Sequence, residues 1–339
     1  MQVDATVKDD IAELLNMIML GAFGEEVRKA LGAGRLVGIE GEEKVRPIVV
    51  SNIWMRILGA ICVGEAGAKC SELQFAIGVP GGASLVTHRC REVAKGKTII
   101  KVDLRNAFNE ASRWRIRELL VHQAMNLRRY FELVYGRDYD LIFYKEQSFS
   151  KVVLDQGVRQ GDATSAFFFC LIIDEVMKSV LMKARERGII MNMWSYMDDI
   201  TCACDDGQAQ ELLNIIEAAV TQAGLYMNVS KSKIHRQNDT APTILMGNLI
   251  RGPSEGYVQT KVAKIEKYFS RIRDLDVHPQ LLFTLLRISG YMKIKYFVDS
   301  NPPEILAPII RVFATHMRTA ISQLVGAQVT EEAMFADWG

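Results

Sequence analysis

The stretch that decides the fold is Tyr196-Met197-Asp198-Asp199, which lies inside an apolar, strand-like run from Ile189 to Cys204. A charged side chain is strongly disfavoured inside an apolar element unless it is paired or binds a metal. Two adjacent carboxylates make this worse, because like charges oppose each other's ionisation. A hairpin that presents both carboxylates at its turn, facing a divalent cation, resolves the conflict. An ordinary acidic hairpin turn is the alternative that this stretch alone leaves open.

A further carboxylate ends another apolar run upstream. The segment from Thr98 to Leu104 reads as a buried strand that carries Asp103 at its end, and the chain then turns helical through Asn106 to Phe108. A lone aspartate at the end of a strand is also a common helix cap. This position alone therefore allows either a metal ligand or a cap.

A glycine-containing loop lies between the two acidic strands. It reads Gln156-Gly157-Val158-Arg159-Gln160-Gly161-Asp162 and precedes a predicted helix from about Thr164 to Arg187. Gly157 and Gly161 allow a tight turn and a close approach of the backbone to a ligand. The amide groups at the start of the helix can face an anionic or polar ligand.

The order of these segments resembles that of reverse transcriptases, most closely the polymerases of non-LTR retrotransposons and related retroelements. Six segments carry the resemblance, over roughly residues 30–300. They are a fingers motif (Val45 to Ile48, with Arg56), a first catalytic motif (Lys101 to Asn109), a template and primer loop (Gly157 to Asp162), a metal-binding hairpin (Tyr196 to Asp199), a motif with glycine, asparagine and lysine (Gly224 to Lys233) and a primer-grip turn (Ile244 to Gly247).

The resemblance implies an α+β right-hand polymerase, with an antiparallel palm sheet backed by helices, fingers and a helical thumb-like region. The implied domains are fingers with N-terminal helices at residues 1–97, a palm with the catalytic motifs at 98–250, and a helical thumb-like region with a C-terminal tail at 251–339.

Hydrophobic periodicity and breaker residues predict the elements within this layout. The predicted strands lie near 35–40, 45–50, 98–103, 190–197 and 199–204. The predicted helices lie near 9–31, 83–96, 110–135, 164–187, 206–223 and, with breaks, 260–324, and a linker is expected at 252–256. Ser51 or Asn52 can cap the helix that follows the second strand.

The implied chemistry is nucleotidyl transfer, in which a primer 3′-hydroxyl attacks the α-phosphate of a deoxynucleoside triphosphate and pyrophosphate leaves. Two divalent ions, Mg²⁺ or alternatively Mn²⁺, can activate the attacking oxygen and neutralise the leaving one. Hard cations prefer carboxylate and carbonyl oxygens. The expected metal ligands are Asp103 and Asp198, with Asp199 in support and the Leu104 backbone carbonyl as an addition. The five His and six Cys show no zinc spacing.

Phe108 is the candidate for sugar selection, because it stands five residues after Asp103, where the family carries an aromatic gate. A ring packed against the sugar would clash with a 2′-hydroxyl, the atom that distinguishes RNA from DNA. The resemblance therefore implies deoxynucleotides as substrates. The alternative is a phenylalanine that only packs in the core.

Lys231 can protonate pyrophosphate or stabilise its charge. A surface lysine, or Lys233 in the same role, is the alternative. Arg46 and Arg56 are expected to contact the triphosphate or the template. The family usually carries a lysine on the strand before Arg46, and Lys44 is the candidate substitute here.

Further contacts follow from the resemblance and, for Lys261 and Lys264, from the concentration of positive charge on predicted helices. Gln160, Gly161 and Tyr196 belong to the implied substrate site, and Gly157, Gly247, Lys261 and Lys264 to the implied nucleic-acid contacts. Residues 231–320 contain 14 Lys and Arg against 7 Asp and Glu, although the net charge of the chain is only +1. Such a local basic surface suits phosphate binding, and a merely solvated helix face is the alternative.

The expected partners are an RNA template, a DNA primer and deoxynucleoside triphosphates, with further retroelement domains on other segments. No apolar run reaches about 18 residues, so no membrane span is expected. Acidic residues near the start argue against a signal peptide, and six unpatterned Cys suit a reducing compartment. An intracellular location, in the nucleus or cytoplasm, is expected.

Two other functions stay open on the sequence. One is a catalytically decayed or domesticated nucleic-acid-binding protein that keeps the polymerase fold, since a fold does not fix a function. The other is a template-independent or DNA-directed polymerase on the same palm. The three acids favour catalysis, and the altered fingers motif favours decay.

Overall fold

The computed structural model describes residues 5–41, 45–67, 70–122, 125–145, 148–330 and 332. The chain divides into two compact units, one formed by residues 1–80 with 100–234 and the other by residues 81–99 with 235–339. We call them unit 1 and unit 2. The predicted division at residues 97/98 and 250/251 concerns functional regions rather than compact units, and it stays a prediction.

The described helices, in chain order, are α1 (Ala5–Leu20), α2 (Glu25–Gly32), α3 (Ile53–Glu65), α4 (Gly82–Ala94), α5 (Ala107–Glu110), α6 (Arg113–Leu120), α7 (Met125–Tyr135), α8 (Ser165–Glu186), α9 (Ala209–Gln222), α10 (Glu255–Arg273), α11 (Pro279–Leu285), α12 (Tyr291–Ser300) and α13 (Pro303–Val325). The described strands are β1 (Gly34–Glu40), β2 (Val45–Ser51), β3 (Thr98–Val102), β4 (Asp140–Lys145), β5 (Ser148–Val153), β6 (Met191–Tyr196), β7 (Asp199–Cys204), β8 (Lys233–His235), β9 (Thr243–Leu245) and β10 (Asn248–Arg251).

The sheet that carries the acidic residues has the strand order β6-β7-β3-β8. Strands β6 and β7 form an antiparallel hairpin whose pairs run from Met191 with Cys204 to Tyr196 with Asp199. Strand β3 is almost entirely buried, and so is β7 after its first residue. All three strands lie within one residue of their predicted bounds, because continuous apolar runs are typical of strands covered on both faces.

Helix α8 forms the centre of the unit 1 core. Its first half, Ser165 to Ile173, is apolar and almost entirely buried, and includes Phe167, Phe168 and Phe169. A helix that is hydrophobic all round is stable only when other elements surround it. The ring of Phe131 on α7 meets Phe168 edge-on, with 5.1 Å between their centroids.

A second sheet in unit 1 has the order β2-β1-β4-β5. Strand β1 pairs antiparallel with β2 and parallel with β4, and β4 pairs antiparallel with β5. The β1 and β2 hairpin agrees with the predicted fingers strands. The β4 and β5 hairpin was not predicted from the sequence, and β5 is exposed along its whole length.

Unit 2 combines helix α4 with the β9 and β10 hairpin and helices α10 to α13. Its apolar core includes Phe269 and Phe313, whose ring centroids lie 5.6 Å apart. The guanidinium of Arg251 on β10 holds the two segments of unit 2 together by donating hydrogen bonds to four backbone carbonyls. They belong to Ala94, Lys97, His235 and Arg236.

Three predicted elements have different bounds in the structure. The helix expected at 9–31 is two helices, because Gly21 between them adopts a left-handed φ of 69°. The helix expected at 110–135 is divided into α5, α6 and α7, and the Ser112 side chain caps α6 by accepting from the Arg115 amide. The linker expected at 252–256 ends at Glu255, where α10 begins.

Of the two capping candidates, Asn52 caps α3: its side chain accepts a hydrogen bond of 3.0 Å from the Trp54 amide.

Among the helices that the structure describes, none is long and apolar enough to cross a membrane.

Phe131→Ala is expected to lower the free energy of unfolding by about 3–5 kcal/mol, because it removes a large buried ring and leaves a cavity. Phe149→Ala is the matched control, since the Phe149 ring on β5 is 63% exposed and should change stability by less than about 0.5 kcal/mol. Denaturant titration followed by circular dichroism measures both. Equal losses would contradict the core described for unit 1.

Candidate active site

The acidic hairpin ends in a strained turn. Because Tyr196 pairs with Asp199, the two-residue loop consists of Met197 and Asp198. Met197 adopts a left-handed φ of 55°, a region that residues other than glycine seldom occupy. The turn places the Asp198 side chain beyond the end of the buried strands, where it is half-buried rather than enclosed.

Asp103 follows the end of β3 and is bound through its backbone to a second segment. Its carbonyl accepts a hydrogen bond of 2.8 Å from the Asn228 amide, and its amide donates to the Ser232 hydroxyl at 3.1 Å. Leu104 forms an antiparallel bridge with Met227. This pairing explains how a motif more than a hundred residues downstream reaches the first catalytic motif.

A cavity of about 550 Å³ gathers most of the predicted site residues. Four of those that line it were predicted to act in the chemistry: Asp103, Leu104, Asp198 and Lys231. Another four were predicted to contact substrate: Arg46, Phe108, Gln160 and Gly161. All eight belong to unit 1.

Of the residues predicted to act in the chemistry or to contact substrate, three do not line this cavity, and neither do the four predicted nucleic-acid contacts. Arg56 is exposed on α3, Tyr196 is half-buried on β6, and Asp199 is half-buried at the start of β7. The proposed substitute Lys44 lies outside the described residues. Lys231 is exposed where it borders the cavity, so its ammonium is accessible to a ligand there.

The charges around Asp199 act on one another. Burial raises the pKa of Asp199, the Lys101 ammonium lowers it, and the negative charges of Asp198 and Asp103 raise it again. The three acids are therefore close enough to interact. In the parts of the chain that the structure describes, however, no three His, Cys, Asp or Glu side chains are grouped closely enough to hold a metal.

The donor set nevertheless suits a hard divalent cation. Two carboxylates, those of Asp103 and Asp198, border the same polar cavity, and both add to the unfavourable negative charge near Asp199. A cation with oxygen ligands would relieve that repulsion, as Mg²⁺ does when substrate phosphates complete its coordination. The convergence of all three acids on one site stays a prediction.

The glycine loop connects the first catalytic motif to the fingers strand β2. Gly157 has φ 72°, and a Cβ there would overlap the backbone of Asn109. Gly161 has φ 100°, and a Cβ there would lie 2.7 Å from the Val49 carbonyl oxygen. The Val49 amide donates to the Gln160 carbonyl at 2.7 Å. Close backbone approach therefore requires glycine at both positions.

The buried carboxylate of Asp162 fixes the end of the glycine loop through hydrogen bonds. Asp162 accepts hydrogen bonds from the hydroxyls of Tyr130, at 3.2 Å, and Tyr135, at 3.4 Å. Burial raises the pKa of Asp162, while the adjacent buried Arg159 guanidinium lowers it. The Tyr135 hydroxyl also accepts from the Arg159 amide. These bonds fix the base of the loop that presents Gln160 and Gly161.

Phe108 packs in the core and borders the cavity at once. Its ring stacks on Phe169 of α8, with centroids 4.8 Å apart and 20° between the planes. The same half-buried side chain also lines the cavity that Asp103 lines. The two readings of Phe108 are thus compatible, since the core contact holds the ring against the cavity.

In unit 2, the predicted primer-grip turn joins β9 and β10. Met246 and Gly247 form a two-residue loop with φ of 48° and 78°, and the Tyr257 hydroxyl donates to the Gly247 carbonyl. Lys261 lies beside it, with its ammonium 5.1 Å from the Tyr257 ring centroid and 4.4 Å from that of Phe297.

Partial burial gives Lys261 unusual electrostatics. Burial, and then the nearby Lys264, lowers the pKa of Lys261 to about 8. The rings attract its charge without neutralising it. Lys264 itself is exposed on α10.

Two residues near the acids were not identified from the sequence. Lys101 stands two positions before Asp103, on the same face of β3, and that spacing could have indicated a charge partner for the acids. Gln74 is buried and hydrogen-bonds the Met197 backbone. No local pattern indicates Gln74, because its partner lies 123 residues away.

Comparison with solved structures supports the fold. Apo telomerase from Candida tropicalis is similar with a TM-score of 0.54 and 10% identity, over 98% of this chain and 65% of that one. Telomerase from Candida albicans in complex with a TWJ fragment of telomeric RNA gives a TM-score of 0.49 and 11% identity, over 92% of this chain and 63% of that one. This chain thus spans less than two thirds of each telomerase. The α+β right-hand polymerase fold is confirmed.

Comparison of sequences identifies the family. No curated protein matches the chain in sequence. The family model described as reverse transcriptase (RNA-dependent DNA polymerase) matches residues 38–261, which include the acidic strands, the glycine loop and the cavity residues described above. The chain therefore belongs to the reverse transcriptase family.

Proposed function

We propose that this chain is an RNA-directed DNA polymerase of a retroelement, which adds deoxynucleotides to a primer 3′-hydroxyl by two-metal nucleotidyl transfer. The observation that carries the proposal is the unit 1 cavity, which brings Asp103 and Asp198 together with Lys231 and Phe108. Family membership supports a polymerase reaction. The resemblance of the motifs to those of non-LTR elements supports the choice of a retroelement.

Asp103 and Asp198 would hold the divalent ions, with the Leu104 carbonyl as a further ligand and Asp199 in support. Bound Mg²⁺ or Mn²⁺ supplies charge neutralisation at the attacking and leaving oxygens. The mutual repulsion of the carboxylates favours cation binding, since each like charge destabilises the ionised state of its neighbours.

The remaining cavity residues would bind and orient the triphosphate. Arg46 is suited to phosphate oxygens because its guanidinium donates in a planar fork. Lys231 would hold or donate a proton at the leaving pyrophosphate. The Gln160 to Gly161 step would present its backbone to the bound nucleotide, because both residues line the cavity.

Unit 2 would contribute contacts to the RNA template and the DNA primer. Gly247 offers exposed backbone at a turn, and Lys261 carries a charge that no described carboxylate neutralises. Because the rings of Tyr257 and Phe297 hold this ammonium in place, a phosphate would meet a positioned cation. Exposed Lys264 would add a screened, sequence-independent attraction.

A nucleic-acid-binding protein without catalysis is the second candidate. The fingers sequence favours it, because the strand before Arg46 ends in Glu40, and neither it nor Gly41 after it is the lysine that the family usually carries there. Such a protein would bind a primer-template but not extend it.

We also propose an intracellular location, in the nucleus or cytoplasm. All six cysteines are free thiols, as a reducing compartment requires. Further retroelement domains would act with this chain from other segments or proteins.

Replacing Asp198 with Asn should reduce primer extension by about two orders of magnitude or more, the loss expected when one charge-stabilising group leaves an active site. The control Asp206→Asn changes an exposed carboxylate just after β7 and should retain the wild-type rate. Neither variant should lower the melting temperature or the duplex affinity. Extension by Asp198→Asn at a rate near wild type would show that this carboxylate is not a metal ligand.

Phe108→Val should improve the incorporation of ribonucleotides relative to deoxynucleotides by about ten- to a hundredfold, because the space of the 2′-hydroxyl would open. Phe108→Tyr keeps the ring and should keep the discrimination. Single-nucleotide incorporation with each sugar gives the ratio of kcat/KM values. An unchanged ratio in Phe108→Val would assign the ring to core packing only.

Primer-template affinity should fall as the pH rises through about 8, the pKa of Lys261, by up to about tenfold per pH unit above it. The sign follows because Lys261 is charged below this pKa and neutral above it. Lys261→Arg stays charged and should remove the fall between pH 7 and 9, whereas Lys264→Arg should leave it in place. Fluorescence anisotropy measures the primer-template affinity at each pH. Identical pH curves for the wild type and the two variants would exclude Lys261 as a phosphate contact.

A further inference from the structure

The strained Met197 turn is held by a side chain from a distant loop. The side-chain oxygen of Gln74 accepts a hydrogen bond of 3.1 Å from the Met197 amide, and its side-chain nitrogen donates to the Met197 carbonyl at 3.3 Å. One amide group thus satisfies both backbone groups of Met197. Gln74 is only 1% exposed, so water does not compete for these bonds.

The loop that carries Gln74 is fixed on both sides. Gln74 forms a parallel bridge with Ser195, whose amide donates to the Leu73 carbonyl at 2.8 Å and whose carbonyl accepts from the Phe75 amide at 2.8 Å. These bonds cover the free edge of β6, the outer strand of its sheet. The oxygen of Gln74 also accepts from the Ala76 amide, which orients the side chain.

The same loop is attached to helix α8. The Ser71 amide and hydroxyl both donate to the carboxylate of Asp174, which is buried on α8 and pairs with Lys178 at 2.8 Å. Gln74 therefore links the turn to a rigid core element. A rigid support of this kind can hold a functional group in a defined position.

Met197 needs such support because of its backbone. In a two-residue hairpin whose first loop position has positive φ, glycine is the preferred residue. A residue with a Cβ persists there only when its surroundings determine the conformation. The Met197 side chain has a separate contact, in which its sulfur lies 3.8 Å from the Cys170 sulfur. The backbone of Met197 is held by Gln74.

We infer that Gln74 is a positioning residue that holds the Met197 turn in its left-handed form and so keeps the Asp198 carboxylate in the cavity. The inference rests on the proposed function only for its effect on rate. Its geometric part, the support of the turn, stands on the hydrogen bonds and burial of Gln74.

The primary variant is Gln74→Met, which keeps the length of the side chain and removes its two hydrogen bonds to Met197 and the one from the Ala76 amide. It should lower kcat for single-nucleotide incorporation by about ten- to a hundredfold, the range that corresponds to release of a strained residue, with a smaller change in KM. Hydrogen exchange at the 193–200 segment should accelerate, and Mn²⁺ binding measured by electron paramagnetic resonance should weaken. The side chain of Gln74→Asn is too short to reach Met197, so this variant should show the same losses. It replaces Gln74→Met as the test of the inference if Gln74→Met does not fold.

The rescue variant separates positioning from packing. Glycine adopts positive φ without steric cost, so Met197→Gly added to Gln74→Met should recover at least several-fold of the lost kcat and slow the exchange again. The control Thr87→Val removes a side-chain hydrogen bond within α4 and should leave kcat unchanged, whatever its effect on the melting temperature. A Gln74→Met variant with wild-type kcat, exchange and Mn²⁺ binding would overturn the inference, and so would a double variant no better than the single one.

The activity of the wild-type protein distinguishes a failure of the proposed function from a failure of the inference about Gln74. If the wild-type protein extends no primer, the proposed function fails, while hydrogen exchange and Mn²⁺ binding still decide the role of Gln74. If the wild type extends the primer and Gln74→Met does so equally well, the inference fails and the proposed function stands.

Discussion

Burial of carboxylates at the ends of apolar strands, together with the repulsion between them, is the constraint that shapes the candidate site of unit 1. Asp103 follows β3 and Asp198 precedes β7, and both negative charges raise the pKa of Asp199. Burial raises that pKa more than either charge does, and Lys101 lowers it. Such an arrangement lowers the stability of the protein. Proteins retain unfavourable charge clusters of this kind mainly at functional sites, such as a site that binds cations and phosphates.

The surrounding backbone is arranged to keep these charges at one cavity. The Asn228 amide fixes the carbonyl of Asp103, and the Gln74 amide group fixes the backbone of Met197. The glycine loop then approaches β2 so closely that no side chain fits at Gly161. Three segments distant in sequence thus determine one polar cavity, and the apolar helix α8 supports it from the core.

The local parts of this site could be predicted from the sequence, because apolar runs and the acids that end them are local signals. Strands β3, β6 and β7 were predicted within a residue, and eight predicted residues line the cavity. Parts that depend on pairing between distant segments could not be predicted. Strand β4 pairs with the adjacent β5 and also, in parallel, with β1 about a hundred residues earlier, and the second pairing has no local signal.

The helix breaks show the same division between local and distant effects. The apolar period continues from α1 into α2, and only the left-handed φ of Gly21 ends the first helix. Gln74 looks like an ordinary loop residue, since nothing near it in sequence shows that it contacts Met197. Lys101 was the one missed residue with a local signal, its spacing of two from Asp103.

The central claim is that this cavity performs RNA-templated addition of deoxynucleotides. The most direct measurement offers the wild-type protein a DNA primer on an RNA template of defined sequence, with Mg²⁺ and each deoxynucleoside triphosphate separately. The account predicts that only the complementary nucleotide is added, and that changing the next template base changes which one is used. Addition of any nucleotide regardless of the template, or no addition to a primer-template that the protein demonstrably binds, would contradict it.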